Sequence, residues 1–275
     1  MTTLPARAQA KLAALIDAED EVATLVGVTQ RKISELFNSL RLNPHGGRAA
    51  DQEHEVARLQ GKQAELQQRN AQRAALNTRL RTWSQQLGPD CELVDAKAPK
   101  PKLKDNEDHF AAINRVRDDI AKLVSERLAV KTCGLPVDEM KAQAEKWVHE
   151  RALKGRPRIR AGHDTGFEVS VTVETFVEKP TIQDHLAWLD PDAMIARLHE
   201  EIDTMPIPKL ALTPSARQKR LTDIAAKLLD LERIEEALIE AAEDRDQFVP
   251  RRPNADPQAI LGVTIAKKAK AATAA

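Results

Sequence analysis

Apolar residues recur at alternating spacings of three and four between Pro5 and Arg41, at Leu12, Leu15, Val22, Val26, Ile33, Leu36 and Leu40. Glu19 and Thr29 stand where the repeat requires apolar side chains. A 3.5-residue period is a coiled-coil seam, since it keeps one stripe of a slightly underwound helix facing a partner. Asn43-Pro44-His45-Gly46-Gly47 then stops the helix and turns the chain. A second run, from Ala50 to Leu87, carries Leu59, Leu66, Leu76, Leu80, Trp83 and Leu87, interrupted by Lys62, Arg69 and Arg73. Two runs of similar length around a short turn predict an antiparallel hairpin with arms about 55 Å long at 1.5 Å per residue. Its polar centre leaves room for a third helix or a partner.

After Gly88-Pro89, residues 95–106 (DAKAPKPKLKDN) form a Pro- and Lys-rich connector expected to be extended and exposed. Ile113, Val116, Ile120, Leu123 and Val130 mark another helix, ended near Gly134 and Pro136, and a shorter helix runs from Val137 to Leu153. The period then changes to two, because Phe167, Val169, Val171, Val173 and Val177 alternate with polar residues. With a turn at residues 162–166, this predicts a β-hairpin over about 157–178, placing Arg160 opposite Glu168 and Ile159 opposite Val169. Thr181 with Asp184, and Asp190 with Pro191, read as the caps of two short helices. The last long helix follows Thr213-Pro214, with its seam at Leu221, Ile224, Leu228, Leu231, Leu238 and Ala242.

The predicted fold is therefore mainly α, a long antiparallel coiled-coil hairpin followed by a helical domain with a small β-hairpin insertion. The expected division is a hairpin over 1–88, a linker over 89–107, a helical domain over 108–246 and an extended or disordered tail over 247–275. Within that tail, residues 260–265 are apolar and β-prone, and the expectation is that they add as a strand to the free edge of the 158–177 hairpin, in their own chain or a neighbouring one.

Composition sharpens the picture: 42% of residues are hydrophobic but only 3% aromatic, with no Tyr, which favours narrow helical seams over one large core. Lys plus Arg and Asp plus Glu are both 42, so no global field steers the chain toward nucleic acid or an anionic membrane. Cys91 and Cys133 lie far apart and form neither a disulfide framework nor a metal cluster. The absence of a signal-peptide pattern and of an apolar run of about 18 residues predicts a cytoplasmic protein without a membrane association.

Candidate chemistry is sparse. No HExxH, GxSxG, phosphate-binding or dinucleotide glycine pattern occurs, so the expectation is a non-enzyme with no catalytic, cofactor-binding or metal-ligating residues. Lys154-Gly155-Arg156-Pro157-Arg158-Ile159-Arg160 resembles the Gly-Arg-Pro core of an AT-hook, whose extended arginines enter the narrow minor groove of A·T-rich DNA. The resemblance makes Lys154, Arg156, Arg158 and Arg160 candidate nucleic-acid contacts, while the hairpin register gives Arg158 and Arg160 a competing place on a polar sheet face. The candidate interaction seam comprises Leu12, Leu15, Val22, Val26, Ile33, Leu36, Leu40, Leu221, Ile224, Leu228 and Leu231. The first reading is a self-associating interaction, scaffolding or assembly protein, including the components of virus-like particles, with a protein partner or a second copy as ligand. The alternative is a nucleic-acid-associated protein using residues 154–160.

Overall fold

The computed structural model describes residues 3–44, 46–88, 90–100, 103–164, 166–170 and 180–267. Among them are eight helices and four short strands, a mainly α fold with two two-stranded antiparallel sheets. The chain forms two compact units, one from residues 1–123 and 226–275, the other from residues 124–225.

The first unit is built on α1 (Ala6–Leu42) and α2 (Ala49–Gln86). They run antiparallel, since contacts advance along one as they retreat along the other. Gln52 Nε2 donates to Ser39 Oγ at 3.2 Å near the turn, and Asn77 Nδ2 donates to the Leu15 carbonyl at 3.0 Å near the open end. Val22, Ile33, Val56, Leu59, Leu66 and Leu80 are buried, while Leu12, Leu15, Val26, Leu36 and Leu40 are half-buried. The polar breaks in the seam are matched rather than tolerated. Glu19 accepts from buried Asn77 at 2.7 Å, and the Thr29 hydroxyl donates to the Leu25 carbonyl at 2.8 Å. The bonds to Leu15 and Glu19 satisfy the Asn77 Nδ2 donor, while its buried Oδ1 has no hydrogen-bond partner among the described residues.

At the open end of the hairpin, Ala8 and Leu80 pack with Leu93 of β1 (Cys91–Asp95), with Ile260 and Leu261 of α8 (Pro257–Leu261) and with Val263 of β4 (Val263–Lys267). Gly262, at φ 63°, takes the left-handed conformation that turns α8 directly into β4, a backbone position where a Cβ is strained. β4 then pairs antiparallel with β1, Leu93 opposite Ile265 and Asp95 opposite Val263.

This arrangement corrects or refines three sequence expectations. The tail over 247–275 is, in its described part, an ordered extended segment that also carries the short helix α8 and the paired strand β4. The linker over 89–107 begins with a strand. Strand addition within the chain occurs, but on β1 instead of on the 158–177 hairpin and from residue 263 onward, because Ile260 and Leu261 are helical and pack at the open end of α1 and α2. The boundaries also differ from a simple succession of segments: α3 (His109–Lys131) and α7 (Pro214–Glu243) each contribute residues to both units.

In the second unit, α4 (Val137–Gly155) packs on α5 (Ile182–Leu189) and α6 (Pro191–Thr204). Gly155 makes the α4 contact with α5, because a Cβ there would lie 1.9 Å from the Asp184 carbonyl oxygen. Thr181 and Asp184 form the expected capping box, and Asp190 Oδ1 accepts from the Ala193 N–H at 3.0 Å as the cap of α6. That bond gives Asp190 a structural role at a helix start. β2 (Arg158–Gly162) and β3 (Gly166–Ser170) pair with Arg160 opposite Glu168 and Ile159 opposite Val169, as the alternation predicts. Residues 171–178 of the expected hairpin lie outside the described residues.

Candidate interaction surfaces

The first surface is the strap that follows α7. Asp246, at φ 59°, turns the chain back along the helix, and Phe248 then lies beneath two arginines of α2. The guanidinium carbons of Arg69 and Arg73 stand 4.9 and 5.4 Å from the centroid of its ring. The positively charged gap in the α2 seam is thus filled by an aromatic face of the same chain, an arrangement favoured by about 0.5–2 kcal/mol per cation.

The next two residues of like charge enter a row of acids on α7. Arg251 is bidentate to Glu236, donating from Nη2 to Oε1 at 2.9 Å and from Nε to Oε2 at 3.0 Å, and also binds Glu243 at 2.9 Å; Arg252 binds Glu235 at 2.8 Å and Glu232 at 3.0 Å. Lys11 of α1 reaches Glu236 at 2.9 Å and Arg117 of α3 reaches Glu235 at 2.7 Å, so each buried glutamate meets at least two cations. Burial raises the pKa of Glu236, but Arg251 and Lys11 outweigh it and hold the carboxyl below its ordinary value. Glu232, Glu235, Glu236 and Glu243 are spaced to share one helical face, and this acidic face together with the Arg251-Arg252 pair is a sequence signal that lies outside the apolar seams. A cleft of about 560 Å³ opens between Phe248, α1 and α2, with Leu15, Val22 and Leu76 on its apolar side and Glu240, Glu243 and Asp244 opposite.

The second unit presents different surfaces. Every described residue of β2 and β3 is exposed. Ile159, Ala161, Phe167 and Val169 share one face of this ribbon by their pairing, and Ile159, Phe167 and Val169 are 64%, 72% and 51% exposed. On α5, Ile182, Leu186 and Leu189 recur at spacings of four and three and are also exposed, at 79%, 55% and 68%. Beneath them the α4 and α5 contact is polar and specific. Asp184 is buried, accepts from the Thr181 N–H at 2.6 Å and from Arg151 at 3.1 Å, and Arg151 lies 5.3 Å over the Trp147 ring.

Lys154, Arg156, Arg158 and Arg160 are all exposed, but they do not form one extended strand. Lys154 belongs to the last turn of α4, Arg156 is its C-terminal cap, and Arg158 and Arg160 lie on the polar face of β2. The Gly155 of the AT-hook-like motif is a packing residue against α5. The α1 seam residues and Leu221, Ile224, Leu228 and Leu231 of α7 are buried or half-buried within the single chain. Among the described residues no group of three or more His, Cys, Asp or Glu side chains is placed to hold a metal ion, and no helix is long and apolar enough to cross a membrane. No protein-family model, curated protein or solved structure matches the chain.

Proposed function

We propose that this chain is a non-enzymatic interaction protein that self-associates through its second unit, as a scaffolding or assembly component. The observation that carries the reading is the outward-facing apolar set in that unit, on the ribbon (Ile159, Phe167, Val169) and on α5 (Ile182, Leu186, Leu189). An isolated two-stranded ribbon is marginal in water, and apolar side chains at regular spacing on one side of it gain stability only against another surface. The coiled-coil character of α1 and α2 fits a stiff arm that spaces such contacts. The nucleic-acid reading would draw on Arg156, Arg158 and Arg160, which are exposed, but the division of the motif between a helix end and a paired strand disfavours it.

Solution mass across a concentration series tests the proposal. The expected result is an oligomer whose mass falls toward that of one chain in the Phe167→Ser/Val169→Ser variant and is unchanged by duplex DNA. A monomeric wild-type chain at every concentration refutes it, and a salt-sensitive complex with DNA transfers the function to the basic segment.

A further inference from the structure

A second groove, of about 350 Å³, runs along α2 beside the strap. Its α2 wall is set by residues at helical spacing, with the small side chains Ala71 and Ala75 leaving the depression and Leu76 at its floor; Val249, Pro250 and Pro253 form the other wall. Four arginines reach it, Arg73, Arg79, Arg251 and Arg252, and no carboxylate lines it.

These four charges are not equivalent. Arg251 and Arg252 are neutralised on the far side by the α7 glutamates. Arg73 and Arg79 form no ion pair with any described residue: Arg73 donates to the Ala18 carbonyl, and Arg79 donates through Nη2 to the Ala255 carbonyl. The Nε of Arg79 is buried with no hydrogen-bond partner. Burial lowers the pKa of this guanidinium, ahead of the opposing effect of the Asp256 and Glu232 carboxylates, and Arg252 lowers it further. Arg73 also stacks on Phe248, so Arg79 is the groove's least satisfied cation, and a desolvated guanidinium of this kind is stabilised by an anion, whereas the apolar walls exclude a fully hydrated one. A volume of this size lies within the range of small-molecule sites, about 300–1,000 Å³.

We infer that the groove between α2 and the strap is a binding site for a small amphipathic anion, its carboxylate on Arg79 and its apolar body over Ala71, Ala75 and Pro250. The inference stands independently of the self-association proposed above, because every residue of the groove belongs to the first unit.

The test is calorimetric titration of the full chain with octanoate and, separately, with 1-octanol, which shares the apolar body and lacks the charge. Saturable one-to-one binding of octanoate is expected, with octanol at least about tenfold weaker, the loss typical of one charge-assisted hydrogen bond. Arg79→Gln should reduce octanoate binding to the level of octanol. Ala75→Phe, at an exposed position where the new ring occupies the groove without entering the core, should abolish both while leaving the melting temperature unchanged. Absence of saturable octanoate binding, equal binding of the two probes, or octanoate binding that survives Ala75→Phe overturns the inference.

Discussion

The two units treat their apolar residues in opposite ways. In the first, α1 and α2 would leave an open end and a charged gap, and both are covered by residues 248–267, with Phe248 in the gap, Ile260 and Leu261 at the open end, and Arg251 and Arg252 in the acids of α7. In the second, large apolar side chains on β2, β3 and α5 point outward, while the interior combines buried Val130, Val148, Ala187 and Ile224 with a close glycine contact and a capped carboxylate. A helix-rich chain with few aromatics can close a seam by folding a distant segment over it, or leave the seam for another surface. Burial separates the two outcomes where hydrophobic spacing alone does not.

The strongest test of that contrast is removal of the strap's buried cation. Arg251→Ala leaves buried Glu236 with Lys11 but without its guanidinium, removes the Arg251 partner of Glu243 as well, and should destabilise the first unit by about 3–5 kcal/mol, read from urea denaturation. A loss below about 1 kcal/mol would mean that solvent reaches the pair, as it does in surface ion pairs. Leu261→Ala, in the same unit, should lose about 2–5 kcal/mol through the transfer and cavity terms. In the second unit one sensitive position carries no side chain. Gly155→Ala puts a methyl group into the backbone of Asp184 and should destabilise by about 1–3 kcal/mol, with α5 amides exchanging faster than those of α2. Unchanged exchange in α5 would show that the helix shifts to accept the methyl.

Acid should act on both units with the same sign. Glu236, Asp184 and Glu107 all have lowered pKa values. For Asp184, burial works against the hydrogen bonds from Thr181 and Arg151, and for Glu107 the hydrogen bond from Arg115, with one from the Lys104 N–H, brings the value to about 2. A carboxyl whose pKa is depressed by folding contributes stability that is present above its unfolded value and lost as pH falls through the folded one. The urea midpoint should therefore be flat above pH 5 and fall between about 4.5 and 2, less steeply in Glu236→Gln. A midpoint that rises on acidification contradicts these assignments. The smallest expected effect falls on the ribbon. Phe167→Ser should change the stability of the isolated chain by no more than about 0.5 kcal/mol, because the ring already faces solvent, while reducing the solution mass. A large stability loss would place Phe167 in a core of its own chain.

What the sequence disclosed and what it hid follow the same line. Local periodicity located α1, α2, α3 and α7, and local signals located the capping box of Thr181 and Asp184 and the register of Arg160 with Glu168, because each of these depends on residues close in sequence or joined by a tight turn. The pairing of β1 with β4 joins segments about 170 residues apart, and nothing in either five-residue strand specifies the other. The same distance hid the partnership of Phe248 with Arg69 and Arg73, although the interrupted α2 seam did indicate that something was needed there. The acidic face of α7 and the Arg251-Arg252 pair were visible as charges, but only folding makes them neighbours.

The late position of the strap also sets the order in which the polypeptide can mature on the ribosome. The second unit is a continuous stretch ending at residue 225, whereas the first waits for β4, whose last residue is Lys267. At synthesis rates of about 5–20 residues per second, roughly 2–8 seconds separate the two events, during which α1 and α2 exist without their covering segment. The end made first is the last to be sealed, and in that interval nascent neighbours and chaperones meet the uncovered end of α1 and α2 before its own chain can.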